Sequence, residues 1–182
     1  MTGASVSLPY EAEQVWVTNN AGFKFHNWYG FGAVNVFAAV SMAKKYSGTL
    51  GNFANTGWIL PSATPNSLIP DNDANGVSVP VIVTSIGTSN IVEVVQLKVT
   101  TTNSVGGNTG DIAIELRSPK GTKSILKTIK DGFTGTYFAG MVLASNAFYG
   151  ESGIGTWTVK LMDGRAGGTQ TLTDIQIRVY GH

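Results

Sequence analysis

From Val77 to the end, the chain alternates apolar and polar residues in short runs broken by glycine. Ile112, Ile114 and Leu116 point one way, while Ala113, Glu115 and Arg117 point the other. Trp157, Val159 and Leu161 share a second such face, with Thr158 and Lys160 opposite. Successive side chains of a strand project to opposite sides, so each run predicts a strand with one face on a core and one in water. The series Val77, Val79, Val81, Val83 and the series Val95, Leu97, Val99 repeat the pattern. The first two runs lie in strands near residues 110–117 and 156–163, and further strands are predicted near 122–128, 137–143 and 172–180. Seven short strands with glycine turns predict a mainly β chain, an antiparallel sandwich or jelly roll.

Only one stretch has helical periodicity. Val36, Ala39, Val40 and Ala43 recur at helix spacing, Asn35 is suited to cap the first turn, and Lys44 and Lys45 suit the negative end. Residues 48–76 carry Pro61, Pro65 and Pro70 among Gly, Asn, Ser and Thr, a composition that predicts a linker or ordered loop. The chain therefore divides into residues 1–47, a linker over 48–76 and a β-sandwich over 77–182.

Three segments resemble a known family. Gly110–Thr122, Phe148–Asp163 and Leu172–Gly181 are similar to the P domain (P/Homo B) of subtilisin-like serine proteases and proprotein convertases. That resemblance implies a galactose-binding-like jelly roll. Asn20–Val40, with its Tyr29–Gly32 turn and Ala38–Val40 pattern, resembles the C-terminal end of a subtilase catalytic domain. It has Asn35 where many relatives have Asp, and either residue can cap the helix.

Together the two resemblances imply a non-catalytic accessory domain, joined to a catalytic-domain remnant, from a secreted, bacterial serine endopeptidase. The implied task is to stabilise the protease's own catalytic domain and to assist its maturation or binding of protein substrate. Without that domain, the aromatic tail is expected to dock on the sandwich or pair with another copy. The alternative is a carbohydrate- or matrix-binding jelly roll that uses loop aromatics as a platform.

Charge narrows the function classes. Twelve Lys and Arg against eleven Asp and Glu leave no broad field to attract nucleic acid or an anionic membrane. Apolar runs are too short for a spanning helix. There is no Cys, which fits a cytosolic protein and a bacterial secreted enzyme equally. Met1-Thr-Gly-Ala-Ser5 has no basic segment followed by an apolar stretch, so a signal peptide is not expected there, and the chain reads as part of something longer.

Serine-protease chemistry needs an imidazole to take the serine proton and a carboxylate to orient it. The only histidines are His26, among aromatics, and His182. Gly87-Thr-Ser-Asn90 begins like the nucleophile turn of subtilases but lacks its small residues. No catalytic residue is assigned.

The carboxylates suggest metal or turn chemistry. Asp71, Asp73 and Asn75 alternate ahead of Gly76 like the start of a calcium loop, although Ile82 stands where an EF-hand has its bidentate Glu. The competing reading is an Asx-turn. Asp111, Glu151 and Asp163 border glycines at strand ends and read as carboxylates holding turn amides; Glu115 and Lys160 read as solvated cross-strand charges. Trp157 is assigned to the core. Trp16, Trp28, Tyr29 and Phe31 are expected against the missing catalytic body or over the sandwich. Phe133, Tyr137, Phe148 and Tyr149 are expected to plug one end of the sandwich.

Overall fold

A computed structural model describes residues 15–48, 51–129 and 132–182; Met1–Ser5, whose reading is given above, lies outside them. The described chain begins with β1 (Val17–Thr18) and β2 (Lys24–Phe25), followed by α1 (Val36–Lys45). Then come β3 (Ala54–Asn55), β4 (Ser67–Leu68), β5 (Asp73–Val83), β6 (Val92–Val105), β7 (Ile112–Arg117), β8 (Lys123–Lys127), β9 (Ala139–Ser145), β10 (Gly155–Asp163) and β11 (Thr169–Gly181). One sheet has the order β5-β10-β7-β8; the other has β3-β11-β6-β9, with β4 also on β11. Every named pairing is antiparallel, and the expected sandwich is present.

The alternating positions make the core. Val95, Leu97 and Val99 of β6 meet Ile175, Ile177 and Val179 of β11 in register, all fully buried. Across the gap lie Ile112, Ile114 and Leu116 of β7 with Trp157, Val159 and Leu161 of β10. Trp157 is placed twice over: its indole N–H donates to the Gly153 carbonyl at 2.8 Å, and Phe148 meets its ring edge-to-face at 4.9 Å. Phe148 thus closes the end of the sandwich. Pro80 sits where it removes no inner ladder bond, because β5 is an edge strand paired only with β10.

One expectation about strand faces fails. Ala113 and Glu115, read as water-facing, are buried, because Ala113 packs with Ile129 and Met162 over the outer side of β7. Glu115 is only 5% exposed and accepts a bond from Arg117 Nη2 at 3.2 Å. It does stand opposite Lys160, so its cross-strand position is right and its solvation is not.

Residues within 48–76 extend the β11 edge. Asn55 and Ala54 pair with Tyr180 and Gly181, Ile59 and Ile177 exchange two bonds, and Ile69 enters the core. Side chains follow the backbone: Phe53 stacks on Tyr180 at 5.9 Å, and the Arg178 guanidinium lies 4.1 Å from the Trp58 ring centroid.

Candidate functional site: an apolar protein-facing segment

The aromatic segment ahead of the sandwich splits into two parts. In the first, β1 and β2 form a small hairpin whose Phe23 meets Tyr149 at 5.2 Å; Phe31 lies 5.9 Å from the same ring. Tyr149 therefore belongs to this contact rather than to a ligand platform. A cleft of about 350 Å³ opens between this segment and the sandwich, lined by Phe25, Asn27, Phe31, Ser124, Ala144 and Asn146 among others.

The second part is unpaired. Asn35 caps α1 as expected, its side-chain oxygen accepting the Ala38 N–H at 2.9 Å, and Lys44 and Lys45 fall in the last turn. Yet no side chain of this ten-residue helix is buried. Val36, Val40 and Met42 are exposed, Phe37 is 83% exposed, and Trp28 and Tyr29 continue the apolar surface upstream. Isolated helices below about 12–15 residues are marginal in water, so this one is made to be covered.

Both histidines have close side-chain neighbours. His26 is buried between Trp16 at 5.3 Å and Tyr29 at 4.8 Å, and its Nδ1 accepts the Trp28 N–H. His182 Nδ1 lies 3.1 Å from Glu93 Oε1.

The carboxylates sort into two places. Glu151, 2% exposed, accepts the Asn20 N–H at 2.7 Å and the Thr122 hydroxyl with the same Oε1. It holds a segment 131 residues away as well as the turn that carries Thr122. At the opposite strand ends, Asp163 lies near Asp111 and Asp71. Burial pushes the Asp163 carboxyl up to about 6, opposed by the Arg165 N–H it accepts at 2.9 Å and reinforced by the Asp111 and Asp71 charges. Arg165 Nη1 approaches Asp111 at 3.5 Å. Nothing in the spacing of these acids announces their meeting.

The proposed calcium set meets a different geometry. Asp73 accepts the Asn75 N–H at 2.8 Å, an Asx-turn, and Asp71 accepts the Gly167 N–H at 3.2 Å. Among the described residues, no three His, Asp or Glu side chains are arranged to hold a metal. Asp71 and Asp73 hold turn amides in this geometry, and calcium at Asp71, Asp73 and Asn75 is a proposal tested by melting with added calcium and then with chelator.

Comparison with known proteins agrees with this layout. Residues 92–179 match the family described as the proprotein convertase P-domain. The chain is 30% identical to the Aeromonas extracellular serine protease of Aeromonas sobria over 81% of this chain and 25% of that protein. It is 27% identical to a PC3-like endoprotease (variant B) of Hydra vulgaris over 88% of this chain and 22% of the relative. The solved Aeromonas sobria serine protease superposes with a TM-score of 0.79 at 27% identity, covering 92% of this chain and 33% of that structure. The chain spans about a quarter of the length of these curated relatives. The β-sandwich described above is accordingly a P domain of the subtilisin-like protease and proprotein convertase family.

Proposed function

We propose that this chain is the non-catalytic P domain of a secreted subtilisin-like serine endopeptidase, joined to the end of that enzyme's catalytic domain in residues 1–47. Its work is to stabilise the catalytic body by covering apolar surface, with maturation or substrate binding as the places where that stability acts. The carrying observation is the seating of the segment ahead of the sandwich on the sandwich itself, through the Asn20 N–H to Glu151 and Phe23 against Tyr149, beside a capped helix α1 with no buried residue. A partner that binds only the folded state raises stability by mass action, and a tethered partner does so at high effective concentration. The relatives supply the partner's chemistry: they are proteases, one of them named extracellular, and most of their length lies outside the match.

The test is made in the longer protease that carries this chain, with and without residues 77–182. Deletion is expected to lower the melting temperature of the remaining body by about 2–4 °C for each kcal/mol of interface lost. It should also speed loss of peptidase activity on warming. A catalytic body that melts and inactivates unchanged after deletion refutes the stabilising role.

A further inference from the structure

Residues 19–31 are held on the sandwich by contacts different in kind from the bare apolar face of α1. Buried Asn19 donates from Nδ2 to the carbonyls of Ala147 at 3.0 Å and Tyr149 at 2.9 Å. Its Oδ1 meanwhile accepts the N–H groups of Ala21 at 3.0 Å and Phe23 at 2.9 Å, closing its own turn. Asn20 gives its backbone N–H to Glu151 and its Nδ2 to the Lys120 carbonyl at 3.0 Å.

Gly150 lies where the segment crosses. It has φ +81°, and a Cβ there would stand 2.8 Å from Phe23 Cε2 and 3.0 Å from Ala21 Cβ. Any side chain at this position would push the turn away.

We infer that turn 146–151, with Lys120 and Thr122, is a receptor surface that recognises an Asn-Asn-Ala-Gly-Phe turn. Its selectivity is chemical. Two carbonyls that need donors accept an amide and repel a carboxylate, and a buried carboxylate takes a backbone N–H. Tyr149 then seats the phenylalanine of the partner. An Asp at position 19 keeps the two accepted bonds but sets an anion against the two carbonyls. The surface itself stands on these contacts; only the naming of its partner as the end of the protease body rests on the function proposed above.

Hydrogen exchange read by mass spectrometry on the 182-residue chain tests this. Asn19→Asp is expected to speed exchange of backbone amides in residues 17–31 about tenfold or more, as loss of two buried bonds implies. Amides of β6, β10 and β11 should exchange at wild-type rates. Glu151→Ala should give the same local pattern, and adding it to Asn19→Asp should accelerate exchange by less than the product of the two single effects. If Glu151→Ala fails to fold, Asn19→Asp and Asn19→Ala decide alone. Unchanged exchange in residues 17–31, or acceleration spread evenly over the sandwich, overturns the inference. Failure of the stabilising role in the longer protease would leave this result untouched, because exchange is measured without the catalytic body.

Discussion

Asp163 carries an electrostatic anomaly at the scale of single residues. Its carboxyl is 2% exposed, faces Asp111, Asp71 and Arg165, and is raised from 3.8 to about 6. Between those values the folded chain holds a proton that the unfolded chain has released. Stability contributed by this group is therefore greatest below about pH 4 and falls as pH rises through about 6. Asparagine keeps an oxygen for the Arg165 N–H and has no charge to desolvate. Asp163→Asn is accordingly expected to melt higher than the wild type at pH 7.5, with the gap closing toward pH 4. Melting curves across that range check it, and a gap independent of pH would show that burial of charge is not its source. Glu151 has the opposite design. One of its oxygens is fully engaged, and among the described residues nothing donates to the other, which is also shut from solvent. A carboxylate so placed serves position rather than solubility.

Among the elements, β5 shows how a single residue sets a strand's reach. The strand begins at Asp73, ahead of the first alternating valine, and its pairing with β10 slips between Leu161 and Asp163. Gly76 makes the slip feasible: φ is +54°, and a Cβ would lie 2.0 Å from the Leu161 carbonyl oxygen. Gly76→Ala must shift backbone and is expected to cost about 3 kcal/mol or more, as strain plus overpacking. Gly121, at φ +92° with open space around it, should cost only about 1–2 kcal/mol on the same change. Equal losses in denaturant titrations would remove crowding as the cause.

The same elements show what could be read in advance. Strands with apolar alternation, such as β7, β10 and β11, were legible because period two is a property of the strand itself. Ends were less legible where polar residues turn inward. Thr101 and Gln170 are buried and bond each other at 2.6 Å, and Phe138 N–H joins them, so β6 and β11 run on past the apolar series. β3 and β4 were invisible because two residues paired through backbone alone leave no side-chain signature. The aromatic segment was legible as a face awaiting cover. Its fastening to Glu151 was not, since the donor is a backbone N–H 131 residues distant.

For the molecule as a whole, the question is what covers α1 when no catalytic body is present. Residues 17–31 are already seated on the sandwich, which satisfies one of the two outcomes expected for an orphaned tail. The helix is not seated, and residues 15–48 contain Lys24, Lys44 and Lys45 but no acid. Three cations repel a second copy weakly and are screened at ordinary salt, whereas Phe37, Val36 and Val40 gain from burial at about 25 cal/mol per Å². The balance favours pairing of two copies through α1, and more strongly as salt rises. Sedimentation of the isolated chain is therefore expected to show a concentration-dependent dimer that strengthens between low and moderate salt. Phe37→Ser with Val40→Ser should return it to monomer without lowering the melting temperature of the sandwich, because neither side chain touches the core. A chain that stays monomeric at high concentration, or a double variant that dimerises as before, would mean that this face needs a partner other than itself.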